Sequence, residues 1–393
     1  NGSVAKRGKV ALDVSPQATA EFVIPVTVTV GKPGVEYFVH FSVVTRQAEP
    51  LIPIGHEIAQ EQFRLPLETE KDSYEASGKA LGWKAENGKV VVSSSNVYFE
   101  LDKATGMVTS YKVNGTEFFD KAFGVQPNFW RAPNDNDYGN SNPKRLQIWK
   151  ESSRDFKVSD TAVREEGETV LMSVTYDLPA GNQYLITYRI YRDGVVNVNV
   201  KFTQTDREAE KTEVLEDTNL ATFTPGKKVK KKDVLEVPRI GVRFRIPHVM
   251  NRVEYFGRGP VENYVDRNAG SMVGRYKTSV EEMYVNYVRP QENGHRTDTR
   301  WVSFTNTAGR GLLVLAEKTI GFNALRNTVE DFDSEESSHP YQWRNRSSKE
   351  VAGKNEAEAK NVLRRMTHVN DITPRDFVEV CIDMKQQGVA GYD

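Results

Sequence analysis

Apolar and polar residues alternate with a period of two along most of the chain, which predicts β-strands. The alternating stretches are short and rich in β-branched and aromatic side chains, which suit the pleated surface of a sheet. The clearest of them lie at residues 21–30, 37–43, 89–92 and 96–101. The pattern alone therefore predicts a fold dominated by strands.

Turn signals separate these stretches. Residues 184–192 alternate, Asp193-Gly194 provides a two-residue turn, and residues 195–200 alternate again, which predicts a β-hairpin. Further turns are expected at Asn87-Gly88, Thr105-Gly106 and Asn114-Gly115. Helical periodicity is nearly absent, and only residues 354–365 predict a short surface helix.

Many short strands with frequent turns indicate an all-β chain of sandwiches or barrels rather than a βαβ enzyme. A polar stretch at residues 68–85 predicts a linker between two domains. Residues 1–67 are too few for a complete immunoglobulin-like sandwich, which needs about 100 residues. Residues 86–393 are too many for one ordinary sandwich, so they predict one very large double sheet.

Charge and cysteine content narrow the function classes. The 393 residues include 53 Lys and Arg against 54 Asp and Glu, and this balance gives no reason to expect nucleic acid or a membrane surface as partner. The basic run at residues 227–232 is interpreted as a solvated loop or edge strand. Cys381, the single cysteine, lies in an alternating stretch and is expected to be a half-buried strand residue.

The chemistry of common cofactor sites is missing from the sequence. None of the six histidines stands at metal-ligand spacing from another, and no nucleophile elbow, phosphate-binding loop or dinucleotide fingerprint occurs. We therefore expect no metal and no cofactor in this chain. The N-terminal residues lack the apolar core of a signal peptide and an initiator Met, so a processed or truncated chain is expected.

Residues 127–143 form the first segment dense in polar and aromatic side chains. Its prolines and Gly139 predict a loop, and loops often carry sites. An aromatic face suits the apolar side of a sugar ring, while amides and carboxylates suit its hydroxyls. The candidate substrate-binding residues are Trp130, Arg131, Asn134, Asp135, Asn136, Asp137, Tyr138 and Gly139. The alternative is that the Asn and Asp side chains cap backbone turns.

A second such segment runs over residues 255–300. Its glycines suggest a tight backbone path, and four charged side chains predict a buried ion-pair network that organises a loop. These side chains are Arg258, Glu262, Asp266 and Arg267.

Both segments resemble motifs of the family 2 β-galactosidases. Residues 127–137, PNFWRAPNDND, resemble the family's PNFWRAPTDND, with Asn134 in place of Thr. Residues 257–267 resemble its GRGPxENYxDR, and residues 290–296 resemble its PxENGxR. Residues 55–66 resemble the end of the preceding immunoglobulin-like domain. The resemblance covers essentially the whole chain, and residues 334–365 are interpreted as a charged surface insertion.

The resemblance implies a partial immunoglobulin-like sandwich followed by a galactose-mutarotase-like supersandwich. It also implies that the two catalytic glutamates, and the magnesium and monovalent cation of the parent enzyme, belong to other domains. Both ends are expected to be cut, the second just before a family Trp that lines the sugar site. Residues 139–146 are expected beside the active site, with Gly139 as a hinge.

The partners implied are a β-galactoside or other carbohydrate, the rest of the parent polypeptide and a second copy of the chain. Two alternatives stay open. One is a carbohydrate-binding or scaffold module without chemistry of its own. The other is a mutarotase, for which His295 and Glu292 would be the acid–base pair. The sequence leaves the compartment open between cytoplasm and periplasm.

Overall fold

The computed structural model describes residues 2–24, 31–67, 74–140, 142–203, 215–216, 228–229, 236–333 and 369–390. Strands make up most of the regular structure in these residues, and the helices are short. Every sheet is built from antiparallel neighbours. The predicted all-β class is therefore confirmed.

The strands of the described residues are, in chain order, β1 (Phe38–Val44), β2 (Glu57–Arg64), β3 (Gly82–Glu86), β4 (Lys89–Ser93), β5 (Val97–Asp102), β6 (Val108–Val113), β7 (Thr116–Glu117), β8 (Gln126–Asn128), β9 (Lys157–Glu166), β10 (Thr169–Asp177), β11 (Gln183–Ile190), β12 (Val196–Thr203), β13 (Leu215–Glu216), β14 (Lys228–Val229), β15 (Arg239–Pro247), β16 (Arg252–Gly259), β17 (Met272–Ser279), β18 (Arg296–Thr305), β19 (Gly311–Leu325) and β20 (Phe377–Gln386). The α-helices of the same described residues are α1 (Asp135–Gly139), α2 (Asn142–Arg145), α3 (Gln147–Ser152), α4 (Val280–Met283) and α5 (Val329–Phe332).

The N-terminal region contributes one hairpin, β1–β2, which docks on the edge strand β17. The Gln62 side-chain amide donates to the carbonyl of Val273 and accepts from its N–H, both at 2.9 Å. Glu36 and Arg300 form an ion pair across the same junction, with N–O distances of 2.6 and 3.1 Å. None of the described residues up to position 67 is buried, so residues 2–24 and 31–67 contribute nothing to the buried core.

Two meanders follow. Strands β3 to β7 form a five-stranded sheet in chain order, and β9 to β12 form a four-stranded sheet in chain order. The Asn87-Gly88 and Asn114-Gly115 pairs turn with positive φ at both residues, as the sequence predicts. The predicted hairpin around Asp193-Gly194 is confirmed as β11–β12. Strand β3 begins at Gly82, within the stretch predicted as a linker.

The largest sheet has seven strands in the order β17-β16-β18-β19-β20-β15-β8. One hydrophobic core joins it to both meanders, because alternate side chains of all three sheets point inward. Aromatic rings span the layers: Phe99 and Tyr188 lie 5.4 Å apart between centroids, and the Tyr184 hydroxyl donates to the Gly241 carbonyl at 2.9 Å. This sandwich supports the segment described below.

Several predictions fall at the margins of the described residues. Residues 21–24 are exposed and lie in no strand, because no described strand pairs with them, and residues 25–30 lie outside the described residues. The predicted helix at 354–365 also lies outside them. Of the basic run, Lys228 and Val229 form β14, which pairs with β13. Cys381 is confirmed as a strand residue, in β20, and it is buried where half-burial was predicted.

Candidate functional site

The segment from β8 to β9 is built from short helices, and the prediction that residues 127–143 form a loop is wrong. Pro127 lies in β8, the last strand of its sheet, where the missing N–H breaks no ladder. Residues 135–139 form α1, and α2 begins at Asn142. Helices of one or two turns leave no periodic pattern long enough to recognise in a sequence.

Helix α1 begins with a reciprocal capping box. The Asn134 side chain accepts from the N–H of Asp137 at 2.8 Å, and the Asp137 carboxylate accepts from the N–H of Asn134 at 3.1 Å. Both N–H groups would otherwise lack partners at the helix start. The alternative that these side chains cap a backbone turn is confirmed for Asn134 and Asp137.

Arg131 and Asp137 form an ion pair beneath this helix. The guanidinium Nη2 lies 3.0 and 3.1 Å from the two carboxylate oxygens, and both side chains are almost fully buried. The Asn142 side chain also donates to Asp137, at 3.0 Å. A buried pair of this kind requires all its partners, because an uncompensated charge in the interior is costly. Arg131 and Asp137 therefore fix the shape of the segment.

Trp130 is held by a residue outside the Arg131–Asp137 pair. It is 4% exposed, and its indole N–H donates to the Asp333 carboxylate at 2.7 Å. Lys150 of α3 lies 2.9 Å from the same carboxylate. Trp130 is therefore a buried support of the segment and not an exposed face for a sugar ring.

The surface of the segment is formed by α1. The Asp135 side chain is 75% exposed and lies 4.0 Å from the Arg289 guanidinium. That guanidinium also covers the Tyr138 ring, 3.8 Å from its centroid. Gly139 has no positive φ, and a Cβ there would meet nothing within 4 Å. Asp135 and Asn136 are thus the candidate residues most open to a ligand.

The polar side chains of this segment hold another part of the chain. Residues 387–390 follow β20, and each of their carbonyls accepts from a side chain at positions 131–140. The bonds are Arg131 Nη1 to Gln387 O, Arg131 Nη2 to Gly388 O at 2.8 Å, Asn134 Nδ2 and Asn136 Nδ2 to Val389 O at 3.0 Å each, and Asn140 Nδ2 to Ala390 O at 3.3 Å. Several of the polar side chains that predict a sugar site therefore donate hydrogen bonds to the protein's own backbone.

Asp266 completes the contact from the other side. Its carboxylate oxygens accept from the N–H groups of Val389 at 2.9 Å and Ala390 at 2.7 Å. Sequence reasoning missed this contact because the partners lie 123 and 124 positions apart. One available signal was Gly388, where a Cβ would lie 2.4 Å from the Asp266 Cγ and would force a displacement.

The predicted network of Arg258, Glu262, Asp266 and Arg267 is not one network, and that prediction is corrected. Arg267 pairs with Glu262 at 2.6 Å, whereas Arg258 pairs with Asp298 at 2.5 Å. Asp266 binds backbone N–H groups, which leaves its carboxylate in no described ion pair. Loop residues close in sequence point to different neighbours here, and spacing alone does not reveal which neighbours they meet.

Two family models match the chain. A model described as "Beta galactosidase small chain" matches residues 93–393, and one described as "Beta-galactosidase, domain 4" matches residues 1–66. The first covers well over half of the chain.

The chain belongs to the β-galactosidase family.

Several curated β-galactosidases are also similar in sequence to this β-galactosidase-family chain. A β-galactosidase of Priestia megaterium is 30% identical over 83% of this chain and 29% of its own length. One of Streptococcus thermophilus is 30% identical over 85% of this chain and 30% of its own length. One of Kluyveromyces lactis is 29% identical over 70% of this chain and 25% of its own length. The chain thus spans under a third of the length of these relatives and corresponds to part of a larger polypeptide.

His295 and Glu292, the acid–base pair that a mutarotase would need, are both buried in this β-galactosidase-family chain and have no access to a substrate. His295 is 2% exposed, and burial together with the nearby Arg239 guanidinium holds its pKa well below the usual value. Glu292 is also buried and accepts from Arg239 at 2.9 Å, Asn323 at 3.0 Å and Gln386 at 3.2 Å. Both side chains therefore belong to the interior of the sandwich.

A buried carboxyl shares this interior. Asp383 lies 3.1 Å from the Arg239 Nε and 3.8 Å from the His295 Nδ1. Burial raises the pKa of Asp383 to about 7, against the opposing effect of Arg239. Among the described residues, no group of three or more His, Cys, Asp and Glu side chains is arranged to hold a metal ion. None of the described helices has the length and apolar character needed to cross a membrane.

Proposed function

We propose that this chain is the non-catalytic C-terminal portion of a retaining β-galactosidase and that α1 contributes to the rim of its galactoside pocket. The observation that carries the rim is the contrast within residues 130–139. Trp130, Arg131 and Asp137 are buried and fully engaged, whereas Asp135 and Asn136 are held outward on a rigid base. An outward carboxylate and amide suit sugar hydroxyls.

The reaction itself would use carboxylates of another domain. Retaining hydrolysis needs two carboxyl groups about 5 Å apart, one as acid and base and one as nucleophile. The buried carboxylates described here are each held by a basic side chain: Asp137, Glu292, Asp333, Glu379 and Asp383. A carboxylate neutralised in this way is poorly placed to attack a sugar. Magnesium and the monovalent cation of the parent enzyme would likewise bind outside this chain.

Hydrolysis of a chromogenic aryl β-galactoside tests this proposal. The purified 393-residue chain is expected to be folded, rich in β-structure by circular dichroism, and inactive, whereas the intact protein that contains it is expected to hydrolyse the substrate. Turnover by the isolated chain would contradict the proposal. Loss of that turnover in a Glu262→Gln, Glu292→Gln, Asp135→Asn or Asp137→Asn variant that keeps the wild-type circular dichroism spectrum would then locate a catalytic carboxylate here.

The hinge expected at Gly139 is tested by Gly139→Ala in the intact protein. In the conformation described, alanine meets no steric obstacle and favours the helix by up to about 1 kcal/mol. The free energy of unfolding of the chain should therefore hold or rise. A hinge that opens and closes over the substrate would make kcat or KM change in spite of this. Wild-type values of both constants would refute the hinge.

A further inference from the structure

The contact between residues 387–390 and the rest of the sandwich is made almost wholly by side chains. We name it the tail clamp and define it by its five holding residues: Arg131, Asn134, Asn136, Asn140 and Asp266. In an ordinary sheet, both backbone edges of a strand are satisfied by neighbouring strands. Here the carbonyl edge of the tail is satisfied by side chains of residues 131–140, and the amide edge by one carboxylate.

Val389 joins the two halves of the clamp. Its N–H donates to Asp266, and its carbonyl accepts from both Asn134 and Asn136 at 3.0 Å. Asp266 touches neither asparagine in any described hydrogen bond, so it acts on them through this one residue. Asn136 is one of the two outward candidates for substrate contact. Because its amide donates to the Val389 carbonyl, its orientation depends on where Val389 is held.

The close approach at Gly388 makes this arrangement specific. A Cβ on Gly388 would lie within 2.4 to 2.7 Å of the Asp266 carboxylate atoms. With any side chain at this position, the tail or the carboxylate would have to move. The preceding residue is anchored independently, because the Gln387 N–H donates to the Pro238 carbonyl at 2.8 Å. Loss of Asp266 would thus loosen residues 388–390 without unpairing β20.

We propose that Asp266 is a positioning residue of the galactoside site, one that fixes Asn136 by holding the Val389 and Ala390 amides. This inference rests on the proposed rim function. Asp266 makes no contact with the substrate in this scheme. It sets the position of Asn136, which would bind the sugar at a point remote from the reacting atoms. Loss of Asp266 therefore weakens ground-state and transition-state binding alike.

Hydrogen exchange on the full 393-residue chain tests the clamp without any activity. In Asp266→Asn, one carboxylate oxygen is replaced by an NH2 group that cannot accept from a backbone amide. The remaining oxygen can still accept from one amide, so exchange of at least one of the Val389 and Ala390 amides is expected to accelerate about ten-fold, and that of β20 to stay unchanged. Asp177→Asn is the matched control, because Asp177 accepts from Gln183 and touches nothing in the tail. Wild-type exchange at positions 389 and 390 would overturn the clamp.

Kinetics of the intact protein test the positioning role. Asp266→Asn is expected to raise KM for the aryl β-galactoside several-fold with kcat nearly unchanged, and Asp177→Asn to leave both constants alone. Gly388→Ala, which displaces the tail while keeping the carboxylate, should reproduce this split and serves if Asp266→Asn folds poorly. Accelerated exchange with an unchanged KM would overturn the positioning role. An inactive wild-type protein would refute the proposed function and leave the exchange result standing.

Discussion

Charged side chains in the interior of this sandwich sit beside opposite charges, and their pairing sets the local structure. Arg131 lies against Asp137, and Arg239 lies between Glu292 and Asp383 at 2.9 and 3.1 Å. Transfer of an isolated charge from water to the interior is too costly to tolerate, so each such group constrains the position of its partner. The residues of the predicted sugar site are shaped by this constraint.

Removal of one charge at the Arg131–Asp137 pair should destabilise the chain strongly. In Asp137→Asn, the Arg131 guanidinium stays buried without its counterion, while the Asn134 side chain still caps the start of α1. We expect a loss of about 3 to 5 kcal/mol in the free energy of unfolding, measured by urea denaturation. Asp135→Asn, two residues away and exposed, should change it by less than about 0.5 kcal/mol. Equal effects of the two substitutions would contradict the role given to burial.

The buried Asp383 carboxyl should make stability depend on pH. In the unfolded chain it loses its proton near pH 3.8, the ordinary pKa of an aspartic acid, whereas burial in the folded chain raises its pKa to about 7. Raising the pH through this window therefore favours unfolding. The stability of the wild type relative to Asp383→Asn should fall from about pH 4 to about pH 7, by at most about 1.4 kcal/mol per pH unit, and level off at higher pH.

Urea denaturation of both proteins at about pH 4.5, 6 and 8 measures this difference. A difference that stays constant, or that rises with pH, would show that Asp383 is ionised in the folded chain.

Between secondary-structure elements, side chains form backbone hydrogen bonds that a neighbouring strand usually forms. The hairpin β1–β2 reaches the large sheet through the Gln62 amide and the Glu36–Arg300 pair, and residues 387–390 are held by the tail clamp. Hydrogen bonds at such junctions each contribute about 1 kcal/mol. These junctions can therefore open locally while the core stays folded.

The Gln62 junction can be tested by proteolysis. Gln62→Ala removes both hydrogen bonds to Val273, so β1–β2 should detach more often and residues 31–67 should be cleaved about ten-fold faster under native conditions. Gln60→Ala is the matched control, since Gln60 lies two positions earlier in β2 and makes a single 3.4 Å bond to the Gly270 carbonyl. Cleavage at the wild-type rate in Gln62→Ala would show that other contacts hold the hairpin.

For the molecule as a whole, the sequence predicts local structure well and long-range contacts poorly. The alternating strands and the turn at Asp193-Gly194 depend on neighbouring residues, and these predictions are confirmed. The family motifs correctly indicate the family. The tail clamp could not be predicted, because an asparagine that binds a sugar and one that binds a distant carbonyl look identical in a sequence. The same ambiguity applies to Arg131 and Trp130. Their residue types predict contact with a ligand, whereas in the structure both side chains are buried.

The junction at Gln62 also bears on solubility. Strand β17 is the outermost strand of its sheet, and an open strand edge is a template onto which another polypeptide can add its own strand. The Gln62 amide occupies the N–H and the carbonyl of Val273, near the start of that edge, from a position 211 residues earlier in the chain. A single glutamine thereby imitates a neighbouring strand and discourages self-association at one edge of the largest sheet.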